Sequence, residues 1–346
     1  MIKVAVVGAG TMATRHAEAY AVNPKCQLVA VCDTNFLKAD LLAKQFGAKA
    51  FQSYSNMLDN ESIDAVAIAT PDQFHAIMAI EAFERGKHVM CEKPLGLSVT
   101  EAKNMVNAAK KSNLVNMVNF TYRNAPAVQT AREYVLSGKI GQIRHFSASY
   151  LQSWLVSTAW GDWRTDASWL WRLSTAHGSN GALFDIGVHL IDLVTFIAGD
   201  FESVQCQTRC FNKALDNIID QYTLDANDSA LIIANCSNGA FGSLQLTRWA
   251  TGHLNDITVT LHGDKGAIKI DLTKSQDKIW ICTGNNINTG RFRALNCPPV
   301  SNLFEQFIEA VDSKQKAEPD FATGLNVQRV LNACVRSNNL GVIDKI

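Results

Sequence analysis

The apolar run Lys3–Val7 leads without a break into Gly8, Ala9, Gly10, Thr11, Met12 and Ala13, and a helical pattern follows. A strand that ends in G-x-G-x-x-A and opens a helix constrains the fold more than any other feature of the chain. Gly8 permits the tight turn, Gly10 lets backbone approach a pyrophosphate, and the small Ala13 lets helix and strand pack closely. The helix start then offers unpaired N–H groups, among them those of Thr11 and Met12, and the positive end of its dipole. Asp33 stands at the end of the second strand pattern, 23 residues after Gly10, close to the ~20 expected of the acid that binds a ribose. Its carboxylate accepts from a 2′-hydroxyl and repels a 2′-phosphate, and Thr34, Asn35, Phe36 and Leu37 include no arginine. NAD is therefore expected as cofactor, ahead of NADP.

From Ile2 to about Phe120, short β-branched runs alternate with helical stretches, the mark of βαβ units and a parallel sheet. Strands are expected at Lys3–Val7, Leu28–Cys32, near Ala48–Phe51, and at Ala65–Ala69, His88–Cys91 and Leu114–Val118. Ser98 and Glu101 form a capping-box pattern ahead of a helix reaching about Lys111, and Pro71 precedes a helix that Gly86 ends. Six such strands make a doubly wound sheet whose ligand crevice lies beyond their carboxyl ends. After residue 120 the texture changes to a helix over Pro126–Ser137, a strand over Ile143–Tyr150, a tryptophan-rich stretch and a helix from about Leu183 to Ile197. Two hairpin patterns follow, Leu231–Asn235 with Phe241–Leu246 and Ile257–Leu261 with Ala267–Ile270. The fold class is α/β: a doubly wound N-terminal domain, 1–122, and a C-terminal α+β domain, 123–346. The closing helices, Leu303–Val311 and Gly324–Arg336, fit against either domain.

Basic and acidic residues both number 32, which leaves no basic stripe for nucleic acid. Apolar residues are 47% and charged residues 18%, the balance of a compact chain with little disorder. No apolar run approaches the ~18 residues of a membrane span. The start, Met1–Gly10, reads as a core strand and not as a leader. Nine scattered cysteines read as buried thiols in a reducing compartment, so a cytoplasmic protein is expected. Cys206 and Cys210 lack zinc spacing, and no metal is expected.

Two constellations carry chemistry. Glu92, Lys93 and Pro94 follow the fifth strand, placing a lysine at the crevice where it can stabilise negative charge on a substrate oxygen. Asp185 and His189 are four residues apart, which puts them on one face if the segment is an α-helix, with Asp192 three further on. An imidazole oriented by a carboxylate moves protons at neutral pH.

The G-x-G-x-x-A start, T-P-D-Q-F-H over Thr70–His75, E-K-P over Glu92–Pro94 and D-x-x-x-H-x-x-D over Asp185–Asp192 occur in that order. The chain resembles the Gfo/Idh/MocA oxidoreductases over essentially its whole length. The resemblance implies a Rossmann domain and a C-terminal domain with a large, mostly antiparallel open sheet, used for substrate binding and for a homodimer or homotetramer. It implies catalytic roles for Lys93, Asp185 and His189, and cofactor contacts from Thr70, Pro71, His75, Glu92 and Lys93. Family members often have Asn where this chain has Asp72, and a structural role for His75 is an equal alternative.

Five of the seven tryptophans fall within 18 residues, from Trp154 to Trp171, interleaved with Asp162, Arg164, Asp166 and Arg172. Aromatic faces beside charged hydrogen-bonders suit a sugar or polyol; a core or an oligomer interface is the other use of such a stretch. The run W-L-W-R-L is similar to a subset of the family containing sugar dehydrogenases. Tyr122, Trp163, Arg164, Trp171 and Arg172 are the candidate substrate contacts. The expected reaction is hydride transfer between NAD and a secondary alcohol or carbonyl of a carbohydrate or polyol. His189 takes the hydroxyl proton, Asp185 orients His189, and Lys93 stabilises the alkoxide. An NAD-dependent glycosidase using transient oxidation and a non-catalytic NAD-binding regulator are the alternatives.

Overall fold

A computed structural model describes residues 1–346, the side chains of 167 and 168 excepted. The chain divides into two compact units, Met1–Thr121 with Ser301–Gln328, and Tyr122–Val300 with Arg329–Ile346.

The first unit is built on six parallel strands in the order β3-β2-β1-β4-β5-β6. They are β1 (Ile2–Val7), β2 (Cys26–Cys32), β3 (Lys49–Phe51), β4 (Ala65–Ile68), β5 (His88–Cys91) and β6 (Asn116–Val118). β1 pairs with β2 on one side and β4 on the other. Val4–Val7 are therefore buried on both faces, which is why the run is apolar throughout and does not alternate. Helices α1 (Thr11–Val22), α2 (Phe36–Gln45), α3 (Tyr54–Asn60), α4 (His75–Glu84) and α5 (Val99–Ser112) complete the crossovers.

Helix starts follow their local signals. Ser98 accepts from the Glu101 amide at 3.2 Å, but the Glu101 carboxylate accepts from Leu97, one residue earlier than a capping box requires, at 2.8 Å. A complete capping box forms instead between Asn302 and Glu305, opening α8 (Leu303–Ser313). Leu303, Phe307, Ile308 and Val311 of α8 join Val4, Val6, Ala17 and Tyr20 in one core, so this closing helix belongs to the first unit. The last helix, α9 (Phe321–Leu340), begins in the first unit and ends in the second.

The second unit holds a nine-stranded sheet in the order β16-β15-β14-β13-β7-β12-β11-β8-β17. Its strands are β7 (Ile143–Gln152), β8 (Phe201–Arg209), β11 (Ser229–Cys236), β12 (Phe241–Thr247), β13 (Asn255–Gly263), β14 (Gly266–Asp271), β15 (Lys278–Thr283), β16 (Arg293–Asn296) and β17 (Asp344–Lys345). A separate ribbon pairs β9 (Ile218–Ile219) with β10 (Tyr222–Thr223). All pairings in the large sheet are antiparallel except β7 with β12. Helices α6 (Pro126–Leu136) and α7 (Val188–Ala198) pack against the sheet. Strands β11 and β12 alternate buried and exposed residues, the pattern of a sheet covered on one face. The uncovered side carries Leu231, Ile233 and Phe241.

Candidate active site

The dinucleotide turn has the geometry its glycines require. Gly8 has φ +104°, and a Cβ there would lie 2.5 Å from the Ala69 carbonyl oxygen. Gly10 is the N-cap of α1, with no side chain capping it and nothing within 4 Å of where its Cβ would be. Ala13 is fully buried beneath it. The Asp33 carboxylate accepts from the Ala9 and Asn35 amides, each at 2.8 Å, and so fixes the turn. A carboxylate has about four acceptor positions, which leaves Asp33 capacity for a ribose diol. An open glycine, uncapped amides at a helix start and an anchored acid fit a dinucleotide.

Beyond β4 and β5 lie Thr70, Pro71, a short turn over Asp72–Phe74, and the Lys93–Pro94 peptide, which is cis. His75 is fully buried, with Nδ1 at 2.8 Å from the Pro94 carbonyl and Nε2 at 3.0 Å from the Thr70 carbonyl. Its ring therefore ties the two turns of the crevice together. Glu92 is buried as well, and its Oε1 accepts from His16 Nε2 at 2.9 Å and Asn119 Nδ2 at 2.6 Å. Both side chains are engaged inside the first unit. His16 and Asn119 were not legible as site residues, since each reads as an ordinary polar position.

In the second unit, the expected α-helix over Asp185–His189 is a π-helical turn, Leu183–Gly187, that runs into α7. The wide i→i+5 turn seats Gly187 so closely that its Cβ would lie 2.9 Å from Leu246 Cδ2. Asp185 accepts at 2.8 Å from Arg248 Nη2, a guanidinium with no exposed surface. The Arg248 side chain also donates to the Arg172 carbonyl and lies over the Trp154 ring. Arg248, 63 residues from Asp185, had no sequence signal.

His189 is 7% exposed at the start of α7, edge-on to Tyr122 with ring centroids 4.9 Å apart. Tyr122 and Tyr150 share a hydroxyl hydrogen bond of 2.6 Å, and Asn255 donates to Tyr122. Burial first, then the neighbouring Tyr122 and Asp185, raise the Tyr150 phenol above its ordinary range, so it stays protonated. Asp192 is held by Arg123 through Nη2 at 2.5 Å and Nε at 2.9 Å, with Arg123 stacked on Phe196. The last acid of D-x-x-x-H-x-x-D is thus half of a buried ion pair.

The tryptophan stretch divides. Trp154 and Trp163 are buried in a cluster with Leu155, Leu170, Leu173, Tyr222 and Leu224, and Trp160 and Trp169 pack against it. Trp163 donates its indole N–H to the Leu155 carbonyl at 3.2 Å. Trp171 is 37% exposed, with the Arg172 guanidinium 4.5 Å from its ring centre. Arg164 lies over Trp163 and 3.5 Å from Asp162. Cys206 is a buried free thiol, and Cys210 accepts from the Lys213 ammonium at 3.1 Å. Among the described residues no group of three or more His, Cys, Asp or Glu could hold a metal ion.

The oxidoreductase family with an NAD-binding Rossmann fold, GFO_IDH_MocA, matches residues 2–120, and the GFO/IDH/MocA C-terminal domain matches residues 128–269. The chain belongs to the GFO/IDH/MocA family and is an NAD-dependent oxidoreductase. It is 30% identical to levoglucosan dehydrogenase of Pseudarthrobacter phenanthrenivorans over 387 aligned positions, covering 97% of this chain and 96% of the relative. It is 30% identical to scyllo-inositol 2-dehydrogenase (NADP(+)) of Bacillus subtilis, covering 96% and 95%. The solved structure of levoglucosan dehydrogenase with NADH and levoglucosan superposes with a TM-score of 0.88 at 29% identity, covering 100% and 99%.

Proposed function

We propose that the chain transfers hydride between NAD and a secondary alcohol or carbonyl of a neutral sugar or polyol. The observation that carries this reading is the acid–histidine set of the second unit, with Asp185 gripped by Arg248 and His189 packed on Tyr122. A regulator that only binds the dinucleotide has no use for such a set. The relatives support the substrate class, since levoglucosan dehydrogenase and scyllo-inositol 2-dehydrogenase act on a sugar derivative and a polyol.

Bound nicotinamide supplies the two-electron acceptor or donor. On this reading Gly8, Gly10, Thr11, Met12, Ala13 and Asp33 hold the cofactor, and Thr70, Pro71 and Lys93 flank it. His75 and Glu92 act from behind, since their side chains are committed within the protein. His189 accepts the hydroxyl proton, Asp185 keeps the imidazole oriented, and the Lys93 ammonium stabilises the oxygen as it becomes an alkoxide. Tyr122, Arg164, Trp171 and Arg172 contact the substrate, with the buried Trp163 beneath Arg164.

Cofactor binding is assigned to 1–122, and substrate binding and oligomerisation to 123–346. Leu231, Ile233 and Phe241 on the uncovered side of the large sheet support a homodimer or homotetramer through that face. Nine free thiols, eight of them buried, support a reducing, cytoplasmic setting. Among the described residues no helix is long and apolar enough to cross a membrane.

NADH absorbance across a panel of sugars and polyols, with aglycone release from aryl glycosides followed in parallel, tests the reading. NADH formation with a member of the panel is expected. Aglycone release without net NADH would make the chain a glycosidase, and dinucleotide binding with neither would make it a regulator.

A further inference from the structure

Lys213 lies between β8 and the β9–β10 ribbon, yet its side chain has no exposed surface. A lysine is almost never fully buried unless its charge is paired, and here Nζ meets Asp228 Oδ2, equally buried, at 3.1 Å. That ion pair does not account for all of its contacts. Nζ also lies 2.8 Å from the Phe211 carbonyl, 3.2 Å from the Leu224 carbonyl and 3.1 Å from Cys210 Sγ. Cys210 is the exposed member of the nine free cysteines, the other eight being buried.

We propose that Cys210 and Lys213 form a site of reversible oxidative modification, at which a hydroperoxide oxidises the thiol and the lysine nitrogen then closes a covalent sulfur–nitrogen bridge.

The hydrogen count aims the lysine at the sulfur. An ammonium has three hydrogens, and four acceptors stand within 3.2 Å of Nζ. The Leu224 carbonyl is already served by Asn217 Nδ2 at 2.6 Å and by the Cys210 thiol at 3.1 Å. The ammonium hydrogens therefore go to Asp228, Phe211 and the sulfur. Sulfur is a weak acceptor, so the third hydrogen adds little to the fold; what it fixes is the approach of Nζ to Sγ. The short segment between them is anchored too, the Phe211 amide donating to Asp228 Oδ2 at 2.8 Å and the Lys213 amide to Asn217 Oδ1 at 3.1 Å.

The other thiols compete poorly for an oxidant. Besides being enclosed, Cys26 and Cys32 are pushed by burial up to about 11 and Cys236 up to about 12, which keeps them as the less reactive thiols.

The chemistry balances in two steps. Sγ attacks a peroxide oxygen: the S–O bond forms, the O–O bond breaks, and the thiol proton leaves with the departing oxygen as water. Sulfur loses two electrons and the peroxide gains them, giving a sulfenic acid. A proton then passes from Nζ to Asp228, and the freed lone pair attacks sulfur. The S–N bond forms, the S–O bond breaks, and the hydroxyl leaves as water with a second hydrogen from Nζ. This is the condensation by which a sulfenic acid captures a nitrogen, made here with a side-chain amine. One thiol molecule reopens the bridge as a mixed disulfide and a second releases Cys210, so the reducing setting proposed above restores the site.

The test treats the full reduced chain with a few equivalents of hydrogen peroxide, alkylates the remaining thiols and maps the peptides by tandem mass spectrometry. The peptide holding Cys210 and Lys213 should be about 2 Da lighter than its reduced form, the two hydrogens lost in forming a sulfenamide. It should escape alkylation, resist trypsin after Lys213 and return to its original mass with dithiothreitol. In Lys213→Arg, which keeps a cation toward Asp228 but cannot close the bridge, dimedone should trap Cys210 as the sulfenic acid. The bridge takes the ammonium from the buried Asp228, so peroxide should lower the wild-type Tm reversibly and leave that of Cys210→Ser unchanged. The wild-type peptide map decides by itself. Cys210 recovered as the reduced thiol, or carrying only oxygen or dimedone, overturns the proposal.

Discussion

The guanidinium of Arg248, wholly buried, donates to the carboxylate of Asp185 at 2.8 Å, while the Asp185 side chain keeps 38% of its surface exposed. An immobile cation thus holds an accessible acid. Arg248→Met should lower stability by about 1–3 kcal/mol and reduce kcat more than KM. Thermal melts and steady-state kinetics check both, and unchanged kcat would remove Asp185 orientation from the mechanism.

The proposed function gives His189 the proton-transfer step. His189→Ala should reduce turnover by about 10²–10⁴-fold, with NADH affinity, read by fluorescence titration, within about twofold of wild type. Turnover at the wild-type level would exclude His189 as the base.

The two turn glycines should respond differently. Gly8 combines φ +104° with a Cβ position 2.5 Å from a backbone oxygen, so Gly8→Ala should destabilise by about 2 kcal/mol or more. Gly10 faces open space, so Gly10→Val should leave the Tm nearly unchanged and weaken NADH binding alone. Equal Tm losses in the two variants would show that Gly10 serves folding and not the pyrophosphate.

A pH effect follows from His88 at the start of β5. Its Nδ1 accepts from the Val115 amide at 2.9 Å, a bond that needs an unprotonated nitrogen. Burial lowers its pKa from 6.5, with Asp64 opposing. A depressed folded pKa contributes stability that is complete above the unfolded value and is lost as pH falls through the folded one. The Tm should therefore hold steady above about pH 6.5 and decline below it, and His88→Asn should flatten that part of the curve. An unchanged slope in the variant would assign the decline to other groups.

The uncovered sheet face makes a separate prediction. Ile233→Glu, at a position 43% exposed, should shift the molar mass measured by light scattering toward the single chain without lowering the Tm of that chain. An unchanged mass would place any interface elsewhere.

Much of the architecture was legible because its causes are local. A glycine turn between strand and helix is recognisable from three small residues, since only glycine takes the Gly8 backbone without cost. The two hairpins were legible for the same reason: their turn glycines and alternating flanks lie within a few residues of one another. The parallel sheet followed from periodicity, while Lys93 and His189 were nominated by their place after a strand and within a D-x-x-x-H pattern. The expected α-helix over Asp185–His189 failed at its first turn, where packing of Gly187 on Leu246 goes with a π-helical turn.

The sequence alone therefore determined the family and the cofactor class, and it marked out the motif residues proposed for the site. Only the tertiary structure decided what holds those residues: Arg248 on Asp185, His16 and Asn119 on Glu92, and Arg123 on Asp192. The physical reason is separation along the chain. Each of these pairs joins residues 27 to 76 positions apart, and burial makes each strong by removing competing water, yet no residue carries a local mark of the partner it will meet.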